Sequence, residues 1–522
     1  MKKLFAILLA LIMMLTTVSA MAAAAPEKWD ISKSKTATNL DANYESKVTL
    51  SLPSAEEPLV SDIVFVLDKS TSAQLEQQAL DMLGELRAHV EKTGATVKVG
   101  VVIFNKVANV ANDGKFFNLA TEYDGIEAAI KQEIKSGTNT HAGLLAGKKM
   151  LDDDKSVENN RKYLIFVSDG ITYMYDKEAK IVPYYWMNDN SPYFSKDPYS
   201  WQFKYLNNNA PDDWSVWIKV VEAAMSAEAG NAPDPVPYDS TLNVEIGKLV
   251  SAEMQYTTSV DRALYYSYQT YQAAKNAGYN VYAMTADSGA DTTYPWGPSF
   301  MNYLAGDKKV DFSEIRNDIL YLVGAGSTVT DTMGYVEGDY NFDFVNDAAA
   351  LSLKVGDDSY TAEKLDDNKY GFKPSGNNSD GNNSYDYIVE YFPKEKDEEN
   401  FVWTINVPVS NLAPVQLTYA VKLTNPKTAP GTYGTYDADG SKNYEGLYTN
   451  NSAVLSPKNS SGGTGADETF NKPTVSYTVS GGGGGHTHYD PTPSVPVVVV
   501  VPPKTGDMPL WYGIARFLGL VK

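Results

Sequence analysis

Cysteine is absent from all 522 residues, so no disulfide can staple this chain and no thiol can act as nucleophile or metal ligand. Histidine is scarce too. The four, His89, His141, His486 and His488, form no Ser/His/Asp set, and two fall in a glycine- and proline-rich stretch, so an enzyme is not expected. Basic charge is short: 44 Lys and Arg stand against 65 Asp and Glu, a formal −21 that repels phosphate backbones and removes nucleic acid from the expected partners. A sustained apolar run appears at the start, where Lys2 and Lys3 precede Leu4 to Leu15 and small residues follow around Ala20 to Ala22. Residues 1–25 therefore read as a secretory signal peptide, the run being short for a membrane anchor. An exported chain of this size without disulfides fits the outside of a bacterium better than an animal secretory pathway.

What is present is pattern. The length suggests two to four domains. In residues 26–60, Val48, Leu50 and Leu52 alternate with polar residues, as in a strand with one buried face. Over 61–327, continuous apolar runs (DIVFVLD at 62–68, VKVGVVIF at 97–104, YLIFVSD at 163–169, YNVYAMTA at 279–286) alternate with helical stretches such as 73–92. That alternation predicts an α/β, doubly wound, mostly parallel sheet covered on both sides. Within it, about 174–257 breaks the rhythm with an aromatic insertion holding Trp186, Trp201, Trp214 and Trp217, either a functional arm or a small subdomain that buries its own rings. From 328 to 478, short alternating runs such as FVWTINVPV and VQLTYAVKL predict a β-sandwich. Residues 479–501 form a Gly/Pro/Val-rich tether, and 502–522 a tail.

The chemistry is concentrated at three places. DKSTS sets Asp68, Ser70 and Ser72 just past an apolar strand, SGTNTHAGL sets Thr138 in a loop ahead of a helix, and VSDG sets Asp169 at the end of another strand. Ligands of open parallel sheets bind beyond the carboxyl ends of the strands. Carboxylate and hydroxyl oxygens without His or Cys select a hard cation, Mg²⁺ first, with Mn²⁺ or Ca²⁺ as alternatives.

D-x-S-x-S, G-T-N-T and S-D-G, in that order on an α/β pattern, resemble a von Willebrand factor type A domain with an intact metal-ion-dependent adhesion site. The resemblance implies that Ser70 and Ser72 ligate the metal directly, Thr138 directly or through water, and Asp68 and Asp169 largely through water. An ion with so few direct anionic ligands can take a carboxylate from an extracellular protein ligand. The outer segments, 26–60 and 328–478, look like two parts of one β-sandwich interrupted by the α/β domain, an arrangement similar to pilus-tip and wall-anchored adhesins of Gram-positive bacteria. PPKTG at 502–506 resembles a sortase sorting signal cut between Thr505 and Gly506, with Pro502 where that pattern has leucine; a membrane-surface tail is the alternative. Sandwiches of this kind also resemble those closed by a Lys–Asn isopeptide bond. Lys35 and Asn451 look like its two ends, with Glu390 as an assisting acid, against the plain reading of a strand lysine and a turn asparagine.

The expectation is a secreted bacterial cell-surface adhesin, attached by sortase to the cell wall or a pilus subunit. The alternative is a structural pilus or wall component without direct ligand binding.

Overall fold

The structure, a computed structural model, describes residues 28–480 except 56–58, 70–72, 94, 135–137, 178–179, 184–209, 229–256, 258, 287–293, 307–310, 378–382, 395–397, 435–445 and 460–461. The expected signal peptide, Ser70, Ser72, most of the aromatic insertion, the tether and Thr505–Gly506 thus lie outside the described residues. The described residues up to Lys427 and from Thr432 to Tyr477 belong to one compact unit, and Thr428–Gly431 with the described residues from Thr478 on to a second, small one. No helix among the described residues is long and apolar enough to cross a membrane.

Four parallel strands form the centre of a six-stranded sheet: β3 (Val60–Asp68), β4 (Thr96–Phe104), β5 (Lys162–Ser168) and β8 (Asn280–Thr285). Their spatial order is β8–β5–β3–β4, every pair parallel. All but the first residue of β3 and every residue of β5 are buried, because these central strands are covered on both faces. On one face Phe65, Leu67, Val99 and Val101 pack with α1 (Ala73–Thr93), α2 (Tyr123–Lys131) and α7 (Phe312–Leu320). On the other, Val64, Val66 and Phe166 pack with α3 (Thr140–Asp153), α4 (Trp214–Glu228), α5 (Ser259–Asn276) and α6 (Trp296–Ala305).

The chain goes from β3 to β4 on one side, then crosses back over β3 to β5 and β8 on the other. The reversal lies between β3 and β5, where a parallel sheet opens a crevice at the carboxyl ends of its strands. Leu67 pairs with Val167, so Asp68 and Ser168–Asp169 emerge side by side at that crevice.

Two seven-stranded antiparallel sheets hold most of the remaining strands. In one, β1 (Ser34–Ala37) and β2 (Glu45–Leu52) join β12 (Val415–Leu423), with Val48 opposite Tyr419 and Leu50 opposite Leu417. Strands separated by the entire α/β region therefore share one sheet. In the other, β10 (Asn383–Phe392), β11 (Asn400–Ile405), β9 (Ser327–Met333) and β13 (Asn450–Ser456) lie in that order. Side chains of the two sheets meet: Lys35 and Tyr419 from the first both bond Asp331 of the second.

Candidate functional site

Asp68 ends β3 fully buried, and its Oδ2 accepts a hydrogen bond from the Ser168 hydroxyl at 2.8 Å. Ser168 Oγ in turn accepts from Gly170 N at 3.0 Å, so one hydroxyl fixes both the Asp68 carboxylate and the turn leaving β5. Asp169 is also buried; its Oδ1 accepts from Ile171 N at 2.9 Å. Gly170 allows this turn. It has φ 79°, and a Cβ there would lie 2.1 Å from the Gly297 carbonyl oxygen at the start of α6.

Thr138 is buried, and its carbonyl accepts from Tyr173 N and from Thr172 Oγ1, each at 3.4 Å. The next residue, Asn139, caps α3 by accepting from Ala142 N at 3.0 Å. Its backbone N–H donates to Asn105 O at 2.6 Å, which ties the loop to the end of β4. Asp68, Thr138 and Asp169 thus all lie in the loops and strand ends of one side of the sheet. Ser70 and Ser72, which follow Asp68 and Lys69 in sequence, lie outside the described residues.

The donor set is of hard oxygen type. Asp68 and Asp169 at the sheet's switch point, Thr138 in the adjoining loop and serines next after Asp68 in sequence are hard oxygen donors, which fit a divalent cation of the Mg²⁺ class in donor chemistry. Among the described residues no group of three or more His, Cys, Asp and Glu could hold a metal. A cation here would have to rely on hydroxyls. His141, read as a helix-start residue, is buried in α3, stacks on Tyr266 at 5.2 Å and accepts from Asp176 N through Nδ1 at 3.1 Å. Burial lowers its pKa to about 4, so the ring is neutral at physiological pH. Asp176 is shifted upward by burial, against the bond from Asn139 Nδ2. Ser168 and Asn139 were missed by sequence reasoning; the only signal was their adjacency to Asp169 and Thr138.

A second group lies between the antiparallel sheets. Lys35 Nζ bonds both oxygens of Asp331 at 2.6 and 2.7 Å, and Tyr419 OH donates to the same carboxylate at 2.6 Å, all three residues buried. Burial lowers the Lys35 pKa to about 8 against the pull of Asp331, and burial raises that of Asp331. Asn451 is only half-buried, its Oδ1 accepting from Tyr335 N at 3.1 Å. Its neighbour Asn450 is fully buried, with neither carboxamide atom hydrogen-bonded. The inward residues of β9 include Asp331 and Met333, and Asn450 pairs with Met333, one inward position along from Asp331. Glu390 is half-exposed in an ion pair with Lys369.

No curated protein matches this chain. Among solved structures it is similar to three N-terminal domains of the type V pili tip protein Mfa5 from Porphyromonas gingivalis, at 16% identity, covering 87% of this chain and 78% of that one with a TM-score of 0.30. It is similar also to the adhesive tip pilin GBS104 from group B Streptococcus agalactiae (15% identity, 88% and 93% covered, TM-score 0.27). The pilus adhesin SpaC from Lactobacillus rhamnosus GG, in its open conformation, matches at 15% identity over 84% of this chain, with a TM-score of 0.30; the match spans 46% of that chain. The family model of the von Willebrand factor type A domain matches residues 63–171, from β3 through the Thr138 loop to the turn after Asp169, and over that stretch the chain carries a von Willebrand factor type A domain.

Proposed function

We propose that this chain is a bacterial cell-surface adhesin that grips an acidic side chain of an extracellular protein through a divalent cation, Mg²⁺ in the first instance. One observation carries the reading: Asp68 at the end of β3 and Asp169 just past the end of β5 lie on adjacent parallel strands where strand order reverses, and the loop before α3 that holds Thr138 is bonded to Asn105 after β4 and to Tyr173 after β5. Asp68, Ser70, Ser72, Thr138 and Asp169 would hold the ion. When bound, the cation supplies a net positive centre with a position for the partner's carboxylate. The chain's own part is orientation. Ser168 holds the Asp68 carboxylate, and both aspartates are buried at the strand ends. The sorting-type sequence at Thr505–Gly506 supports attachment by sortase to a wall or pilus subunit, and the first residues support export.

The same reading includes a covalent staple. We propose that Lys35 Nζ, as the neutral amine, attacks the side-chain carbonyl carbon of Asn450 in place of Asn451, forming an amide and releasing Nδ2 as ammonia. Asp331 in place of Glu390 takes the amine proton and returns it to the leaving nitrogen. The buried carboxamide without partners and the lysine with lowered pKa support this assignment.

The test of the adhesive reading is calorimetric titration of Mg²⁺ and Mn²⁺ into the chain, with capture of host matrix proteins measured in parallel. Asp68→Ala should abolish the metal heat and the metal-dependent capture while the fold persists. Equal capture by parent and variant in excess Mg²⁺ would rule the mechanism out. Metal binding without any capture would favour the structural pilus or wall component.

A further inference from the structure

We infer that Asn139 is a positioning residue for the candidate cation site, one that ties the Thr138 loop to the root of the aromatic insertion so that the two bias one another. This rests on the cation reading above.

The side chain of Asn139 is fully buried and is used by three elements at once. Its Oδ1 caps α3. Its Nδ2 donates to Lys106 O at 3.1 Å in the loop after β4, and to Asp176 Oδ1 at 2.9 Å. Asp176 belongs to β6 (Met174–Lys177), which forms a hairpin with β7 (Lys180–Pro183), the last described strand before residue 184. An amide has two N–H donors and one oxygen, and here both donors and the oxygen are engaged.

The two residues leading into the hairpin, and the hairpin itself, meet the Thr138 loop elsewhere. Tyr173 N and Thr172 Oγ1 donate to Thr138 O, Thr140 N donates to Thr172 Oγ1 at 3.3 Å, and Asp176 N donates to His141. The far end of the insertion is fastened to the same root. Glu228 at the end of α4 accepts from Thr257 N and Oγ1, both at 2.7 Å, while Arg262 donates to Thr257 Oγ1 at 2.8 Å and Tyr175 OH at 3.2 Å. Pro183, before residue 184, and Glu228 and Thr257, on either side of 229–256, are therefore linked to the root that the Thr138 loop bonds, through Met174, Arg262 and Tyr175. A ligand that moves the root must strain or relax these bonds, and by linkage a cation that fixes Thr138 must favour one arrangement of the root.

The test uses the full chain with Asp176→Ala and Asp176→Asn. Asp176 is half-buried on a hairpin, so neither change empties a core site. Two readings are taken: amide hydrogen exchange over 138–142 and Mn²⁺ affinity by calorimetry. Loss of the acceptor in Asp176→Ala should speed exchange in that loop and weaken Mn²⁺ by roughly 5- to 150-fold, the usual range of coupling between sites. Asp176→Asn keeps an acceptor oxygen and should behave as the parent in both. Parent-like exchange in Asp176→Ala overturns the tie, and equal weakening in both variants overturns it in favour of a simple charge effect. Failure of the parent itself to take Mn²⁺ would defeat the cation reading, while the exchange data would still judge whether Asn139 joins loop and root.

Discussion

His141 shows what a single buried side chain contributes. Its pKa falls from the ordinary 6.5 to about 4 because burial disfavours the imidazolium, so the unfolded chain takes up a proton that the fold refuses. The stability it contributes is complete above the unfolded value and is lost as pH drops from about 6.5 toward about 4. Asp62 works the other way. Burial raises its pKa to about 6, so acid favours its folded form over the same range, and only a difference between variants isolates the histidine. Denaturant titrations should therefore show the parent losing about 2 to 3 kcal/mol more than His141→Gln between about pH 7.5 and about pH 4.5. Equal losses would mean that His141 is charged in the fold.

Helix α4 revises the reading of the insertion at the scale of an element. The aromatic texture of 174–257 puts Trp214 and Trp217 with Trp186 and Trp201 in one stretch. Trp214 and Trp217 instead lie on α4 and face the sheet's core cluster, 5.2 Å from each other, with Trp214 also 5.1 Å from Phe300 and its Nε1 donating to Ser299 at 2.9 Å. That helix is core structure, whatever the undescribed stretches on either side do. Trp217→Ala should cost about 3–5 kcal/mol, as large-to-small core changes do, read as a lower urea midpoint with unchanged slope. A shift below 1 kcal/mol, roughly the scale of a surface change, would put α4 outside the cooperative unit.

At the scale of the whole molecule, strands far apart in sequence close one assembly. Lys35 lies on β1 and Asn450 on β13, and the chain between them includes the entire parallel sheet. Closing so long a loop costs entropy that rises only slowly with its length, and a bond between its ends removes that freedom from the unfolded chain. Intact mass of the folded protein should fall short of the sequence by one ammonia. Lys35→Ala and Asn450→Ala should each abolish the deficit, leaving only their own mass change, while Asn451→Ala should keep it. A parent mass equal to the unmodified sequence would leave the Lys35–Asp331–Tyr419 group as a buried ion pair alone.

The sequence by itself determined the strands at 62–68, 97–104, 163–169 and 279–286 and the places of Asp68, Thr138 and Asp169, because buried parallel strands write themselves as continuous apolar runs that stop at their ends. Neighbourhood was decided only by the tertiary structure. Nothing local says that β5 lies beside β3, so nothing local puts the Ser168 hydroxyl on Asp68, and the same holds for Asn139 with Asp176 or Lys35 with Asp331. Asn451 and Asn450 give the sharpest case. Ala453 and Leu455 face inward, and period-two alternation extends that face to Asn451. A register shift where β9 pairs β13, between Thr332 and Met333, reverses the phase and turns Asn450 inward instead. A bulge of one residue flips every side chain beyond it, and its position is set by the partner strand, which the sequence of β13 does not contain.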